Sequence, residues 1–231
     1  MTKNEVLNVP AHVGLIMDGN RRWAKKRLMP PSSGHSAGLN RMVSLAERAK
    51  AVGVKYLTVY ALSTENLARP QDELDKMFAL IRKQFDSLVE KLIKVGARVK
   101  VIGDLSLLPD DIQGLVAEGI KKSPENAGFT FVMALGYGAR SEIVRAANLA
   151  VKQGGEVTEQ KLSELLYTDG IPDPDLIIRT GGEMRLSNFL LWQSAYAELY
   201  FSDVLFPDFT DEEFDRAIAD YSSRERRFGK G

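Results

Sequence analysis

Four clusters of polar residues carry the side-chain combinations that bind phosphate or move a proton. Asp18-Gly19-Asn20-Arg21-Arg22 packs one carboxylate, one glycine and two guanidinium groups into five positions. Glycine lets the backbone approach a ligand closely, successive amides cradle an anion, and arginine adds a planar fork of donors. The same five residues also read as a tight turn with solvated charges. The stretch Arg179-Thr180-Gly181-Gly182-Glu183, continued by Arg185 and Ser187, is more specific. Two arginines flank a glycine pair and a hydroxyl follows, which suits a diphosphate clamp. Neither GxxxxGK[ST] nor GxGxxG is present, so a phosphate bound here does not belong to a typical nucleotide site.

Asp18 is the leading candidate for a Mg²⁺ ligand, because Mg²⁺ often takes one or two protein carboxylates and keeps several waters. It equally reads as the cap of the following turn. His35 follows Ser32-Ser33-Gly34 at a helix start, where an anion is favoured, or is a plain turn histidine. Ser63-Thr64-Glu65-Asn66 offers Glu65 for direct proton transfer and Asn66 to orient a diphosphate or a water, or else only loop hydrogen bonds. Gly136-Tyr137-Gly138-Ala139-Arg140 is the fourth cluster. Glu198 precedes its strand, so it is either structural or reaches a site from another subunit. His12 precedes a strand and reads as structural.

The elements that position these clusters alternate. Apolar runs at Val13–Met17, Tyr56–Leu62, Val99–Ile102, Phe129–Leu135, Leu176–Ile178 and Leu199–Phe201 read as strands. Helices are predicted over Ser36–Val52 with Gly53 as its stop, from Pro70 to near Gly96, from Pro109, and from about Ser141. Thr210 and Glu213 suggest a capping box for the last helix. In the long helix Leu74, Met77, Phe78, Ile81, Phe85, Leu88 and Leu92 recur at helical spacing. This stripe reads as core or as the wall of a tunnel for an apolar substrate. Strand–helix alternation predicts an α/β fold with a mainly parallel six-stranded sheet covered by helices on both faces. Ligands in such sheets bind at the C-terminal strand ends, and all four clusters fall there.

Composition narrows the function classes. The 231 residues are 44% hydrophobic and 27% charged, which fits a folded chain and one domain over 1–231. Lys plus Arg and Asp plus Glu are both 31, so the basic excess of a nucleic-acid binder is missing. Without cysteine there is no disulfide, thiolate metal site or cysteine nucleophile. Two histidines leave a hard ion held by carboxylates as the plausible metal. No apolar run approaches the ~20 residues of a membrane span, and a cytoplasmic protein is expected.

Together HVGLIMDGNRRWAKK, GHSAG, YALSTEN with RP, GYGAR, DLIIRTGGEMRLSNFLLWQSAYAELYF and RERRFGKG closely resemble the cis-prenyltransferases, the undecaprenyl diphosphate synthase family, from about His12 to Gly229. The resemblance implies a homodimer with an apolar tunnel between sheet and helices. It also implies Mg²⁺-dependent joining of an allylic diphosphate to isopentenyl diphosphate. It makes Asp18 the Mg²⁺ ligand, and Gly19, Asn20, Arg21, Arg22, Trp23 and His35 the allylic diphosphate site. Arg179, Arg185 and Ser187 would hold the second diphosphate, and Asn66 would serve proton transfer. Ser63, Thr64 and Arg69 match further site positions. Glu198 resembles a glutamate that reaches the metal from the partner subunit. Arg227 and Gly229 match an RxG motif that contacts the neighbouring site.

Several positions depart from the family pattern. Pro31 stands where an arginine that binds the allylic diphosphate is usual, with Lys25, Lys26 and Arg27 near enough in sequence to replace it. Leu62 and Leu67 replace Phe and Trp, and Gly136 replaces Asn. These departures suggest the irregular branch, which couples two dimethylallyl diphosphates head to middle into a lavandulyl-type diphosphate, open or cyclised. Glu65 beside Leu62 and Leu67 is then the candidate acid/base. The alternative is regular chain elongation with isopentenyl diphosphate. A non-catalytic partner subunit is disfavoured because Asp18 and the RxG ending are both present.

Overall fold

The computed structural model describes residues 8–125 and 127–224. Six strands form one sheet: β1 (His12–Ile16), β2 (Tyr56–Ser63), β3 (Arg98–Ile102), β4 (Thr130–Tyr137), β5 (Leu176–Arg179) and β6 (Glu198–Phe201). Their order is β3-β4-β2-β1-β5-β6, and every neighbouring pair is parallel. The expected α/β architecture is therefore present, with a wholly parallel sheet. All six C-terminal strand ends lie along one edge.

Period-2 alternation divides the strands between two cores. Val13, Leu15, Leu57, Val59, Phe131, Met133 and Leu135 face one large core with residues of α2 (Pro31–Val52), α3 (Gln71–Lys94), α4 (Asp110–Lys121) and α7 (Asp211–Ser223). Ile177, Val132 and Ala134 face a smaller one with Phe189, Leu190 and Ala139. The latter residue opens α5 (Ala139–Lys152), and the short α1 (Asn20–Lys26) buries Ala24 and packs against α2.

Three local expectations shift. α2 begins at Pro31, five residues before Ser36, because proline at the first helical position lacks only an N–H that the helix leaves unbonded anyway. A short helix α6 (Glu159–Glu164) appears where none was expected; the Thr158 hydroxyl caps it by accepting from the Lys161 N–H. The Thr210 side chain makes no such bond to α7, so the capping box does not form. Its hydroxyl instead bonds the Glu212 carboxylate.

Candidate active site

Asp18-Gly19 follow the end of β1 at Ile16. Gly19 adopts φ +114, and a Cβ there would come 2.8 Å from the Leu205 side chain. Only glycine makes this turn, which starts α1 and points its first residues across the strand ends. The Asp18 carboxylate bridges two arginines. Oδ1 lies 3.0 Å from Arg22 Nη2, and Oδ2 accepts from Arg179 Nη2 at 2.9 Å. Arg179 closes β5 and is 4% exposed. Its Nη1 donates to Ser187 Oγ at 2.7 Å and to the Arg185 carbonyl. The Thr180 hydroxyl donates to the Asp18 carbonyl at 2.8 Å. Asp18, Arg22, Arg179 and Ser187, distant in sequence, thus form one bonded cluster.

Two polar atoms beside this cluster, Asn20 Oδ1 and Arg179 Nε, are buried with no hydrogen-bond partner. An unmet buried donor costs about 1–3 kcal/mol, and an anion arriving at the Arg179 side would recover it. Ser187 and Asn188 both hold left-handed backbone, φ +48 and +66. For a non-glycine residue this is strained, of the kind that collects at binding sites.

The motif Gly34-His35-Ser36-Ala37-Gly38 sets α2 against α1. A Cβ at Gly34 would lie 2.0 Å from the Asn20 carbonyl oxygen, and one at Gly38 2.5 Å from Asn20 Oδ1. That contact brings His35 to the same cavity as Asn20, Arg21, Arg22, Asn66 and Arg69. Burial, then the Arg69 and Arg21 charges, push the His35 imidazole below its ordinary value. It is neutral at pH 7 and offers a hydrogen bond rather than a charge. Arg21 pairs with Glu73 at 3.0 Å, and Arg69 lies 3.9 Å from the same carboxylate. Asn66 is fixed by a reciprocal pair: Ser63 N–H donates to its Oδ1 at 3.3 Å, and its own N–H to Ser63 Oγ at 3.1 Å.

Behind this polar mouth lies a cavity of about 290 Å³ between the sheet, α2 and α3. Its inner wall is apolar: Leu39, Met42, Leu62, Met133 and Leu135, with Met77, Leu80, Ile81, Phe85 and Leu88 along α3. The α3 stripe is therefore core and tunnel wall at once. From Met77 to Leu88 the cavity follows α3 for about 16 Å, at 1.5 Å per residue.

Other sequence candidates fall elsewhere. Trp23 does not line the cavity; its Nε1 donates to Asp208 at 2.7 Å, and Arg27 stacks on its ring at 4.2 Å. Glu65 also stays outside the cavity lining, accepting from Asn188 Nδ2 at 2.8 Å. Partial burial pushes its carboxyl up, but hydrogen bonds from Asn188, its own N–H, Ser63 and Thr64 together hold it below the usual range. At neutral pH it is ionised, which disfavours it as a proton donor. Arg185 contributes its carbonyl to Arg179 while its guanidinium pairs with Glu183. Arg227 and Gly229 lie outside the described residues.

Glu198 opens β6 at the opposite edge of the sheet and pairs with Arg224 at 2.7 Å. Register places it level with Leu176 and hence Val13, two strands over and five residues short of Asp18. That is about 19 Å at 3.3 Å per residue and 4.8 Å per strand. No glutamate side chain spans it, so Glu198 and Asp18 of one chain cannot share an ion.

The departures also acquire physical readings. Pro31 suits the start of α2 and supplies no cation. Arg27 is taken by Asp208 at 3.1 Å, and Lys25 and Lys26 do not line the cavity, so none of the three replaces it. Gly136 holds φ +57, a conformation that asparagine tolerates best after glycine; the replacement keeps the backbone and removes a side chain. Leu62 lines the cavity, whereas Leu67 packs on the large core. Asn188 escaped the sequence reading. Its carbonyl accepts from Ala139 N–H, its Oδ1 from Arg140 N–H and its Nδ2 binds Glu65, so one residue ties three strand-end loops. An asparagine after Ser187 in a glycine-rich loop was the available signal, since asparagine tolerates left-handed backbone.

A family profile described as putative undecaprenyl diphosphate synthase matches residues 16–229. The chain belongs to the undecaprenyl diphosphate synthase family, the cis-prenyltransferases. Members are prenyl diphosphate synthases, and this chain is thus a transferase of isoprenoid metabolism. It is 47% identical over 232 residues to an isoprenyl transferase of Listeria monocytogenes, covering 97% of this chain and 92% of the relative. An isoprenyl transferase of Streptococcus pyogenes is 46% identical, covering 99% and 96%. Among solved structures, lavandulyl diphosphate synthase of Lavandula x intermedia in complex with dimethylallyl diphosphate aligns with TM-score 0.90 at 37% identity, over 96% of this chain and 99% of that one. A probable undecaprenyl diphosphate synthase of Campylobacter jejuni gives 0.83 at 39%, over 96% and 100%. The cis-prenyltransferase family therefore accounts for the parallel sheet, the charged mouth and the apolar tunnel in one description. Among the described residues no helix is long and apolar enough to cross a membrane.

Proposed function

We propose that this cis-prenyltransferase is a regular chain-elongating synthase, a homodimer of one 1–231 domain acting in the cytoplasm with Mg²⁺. The observation that carries this reading is the length of the cavity. Three backbone bonds span about 3.5 Å, so a four-bond prenyl repeat spans roughly 4.7 Å. The ~16 Å followed by α3 then takes about three repeats, well beyond the single five-carbon unit of dimethylallyl diphosphate. Curated relatives at 46–47% identity are isoprenyl transferases, which adds support.

In this reading the allylic diphosphate lies at the mouth with Asn20, Arg21, Arg22, Arg69 and neutral His35, and its chain enters the tunnel. Isopentenyl diphosphate lies against Arg179 and Ser187. The allylic C–O bond breaks as the second double bond attacks, diphosphate departs, and the proton then lost passes to a diphosphate oxygen or a water oriented by Asn66. The donor set fits Mg²⁺ only together with substrate. No group of three metal-binding side chains exists among the described residues, but Asp18 lines an open mouth where diphosphate oxygens and waters would make up the rest of a shell. Bound there, Mg²⁺ supplies charge neutralisation for the leaving diphosphate. Asp18 would exchange Arg22 and Arg179 for the ion and release both arginines to phosphate. Glu198 would reach that ion from the partner subunit.

A second reading, head-to-middle coupling of two dimethylallyl diphosphates, is favoured by two observations. Leu62, replacing the usual Phe, lines the cavity, and a lavandulyl diphosphate synthase superimposes closely. Product analysis by mass spectrometry separates the two. A ladder of C5 additions from farnesyl plus isopentenyl diphosphate supports elongation. A C10 diphosphate from dimethylallyl diphosphate alone, with no ladder, establishes irregular coupling.

A further inference from the structure

α1 and α2 both line the cavity mouth, and the segment that joins them is exposed throughout, from Lys25 to Ser32. Its tip is apolar. Leu28 is 98% exposed and Met29 42%, with Pro30 and Pro31 beside them. Leu28 also takes φ +55, a left-handed conformation unfavourable for a branched side chain. That backbone closes α1, with the Leu28 N–H donating to the Lys25 carbonyl at 3.1 Å and the Met29 N–H to the Ala24 carbonyl at 2.9 Å, but a glycine would close it with less strain, and the leucine side chain is left in water. On the helix just before the tip, Lys25 and Lys26 are exposed, and their ammonium groups make no ion pair or hydrogen bond among the described residues. The neighbouring cations differ: Arg21, Arg22 and Arg27 are paired with Glu73, Asp18 and Asp208. An apolar tip flanked by two unneutralised lysines matches the surface of an anionic bilayer, with apolar side chains below the headgroups and ammonium groups among them.

We propose that the Lys25–Pro31 segment is a membrane-docking tip that seats the cavity mouth on an anionic lipid surface. Arg21 and His35 line the mouth within a few residues of the tip on either side, so docking brings the site to the bilayer. A polyprenyl diphosphate leaving the mouth would then pass into lipid instead of water. That last consequence rests on the elongation reading; the docking itself does not.

The test uses the full chain without substrate. It is sedimented with vesicles of phosphatidylglycerol and phosphatidylcholine, mixed or of phosphatidylcholine alone. Binding is expected only to the anionic vesicles and to weaken as NaCl rises from 0.1 to 0.5 M. Leu28→Ser with Met29→Ser should weaken partitioning by about tenfold or more, since two apolar side chains no longer enter the lipid. Lys25→Gln with Lys26→Gln should weaken it by about tenfold and flatten its salt dependence. Absence of binding to anionic vesicles, or equal binding by the Leu28/Met29 variant, overturns the proposal. So does a change in oligomeric state of that variant by light scattering without a change in vesicle binding, because the tip would then cover a second copy. Turnover of water-soluble, short-chain substrates by the Leu28/Met29 variant should match the parent. Failure of the product ladder in the parent would count against elongation and leave the vesicle result standing.

Discussion

The two edges of the sheet treat buried polar groups in opposite ways. At the N-terminal edge His12 is 1% exposed, and both ring nitrogens are bonded. Nδ1 faces the Pro172 carbonyl at 2.6 Å and must carry the hydrogen, so Nε2 accepts from the Thr58 hydroxyl at 2.7 Å. Its own N–H and that of Ala11 both donate to Asp175. At the C-terminal edge Asn20 Oδ1 and Arg179 Nε stay unbonded, two successive residues hold left-handed backbone, and one carboxylate serves two guanidinium groups. The first edge spends its polar groups on the fold. The second leaves the Arg179 Nε donor open for an anionic ligand, beside a strained loop.

The contrast breaks most visibly at Asp18. Asp18→Asn should lower kcat by about 10²–10³, the range for losing one charged contact to a developing anion. A thermal scan alongside checks that the variant still folds; a large stability loss with normal turnover would erase the distinction. At the other edge acid is the probe. Burial pushes the His12 imidazole from 6.5 down to about 4, while in the unfolded chain it titrates near 6.5. The unfolded state therefore binds the extra proton first as pH falls. Stability should drop between pH 6.5 and 4, by about 3 kcal/mol at 1.36 kcal/mol per unit, readable in urea melts. Thr58→Val should flatten part of that slope and leave kcat unchanged.

Gly34→Ala couples the two measures. Its Cβ would meet the Asn20 carbonyl at 2.0 Å, so α1 and α2 must separate. About 1–3 kcal/mol should be lost in denaturant melts, with a raised KM for the allylic substrate. The smallest effect on stability belongs to Glu198→Gln. The Glu198–Arg224 pair is roughly one-third exposed, and its loss should cost under about 1 kcal/mol. If the partner's site needs Glu198, kcat falls regardless; unchanged kcat would remove it from the metal site.

Much of this was legible in the sequence because strands buried on both faces are short apolar runs, and the site lies where those runs end. Asp18, Arg179 and Ser187 were identifiable by residue type, and the structure bonds them together. What was not legible depends on long-range packing. Glu65 looked catalytic from its place beside Asn66, yet Asn188, 123 residues later, pins its carboxylate. Trp23 looked like a site residue within its motif, yet Asp208 turns it away. The start of α2 was hidden because Pro30-Pro31 reads equally as a loop or as a helix beginning, and the contact of Gly34 with Asn20 decides between them.

The strand order has a consequence for how the chain is made. β1 is near the centre of the sheet and precedes both of its neighbours in the chain, and those neighbours arrive at very different times. β2 follows within about forty residues, whereas Val13 must wait for Leu176. At roughly 5–20 residues per second, one side of β1 stays without its strand for on the order of 8–30 s of synthesis. An open apolar strand edge is a template for pairing with another nascent chain. The protein's yield in a cell therefore depends on how fast the chain between β1 and β5 is translated and on what shields β1 until then.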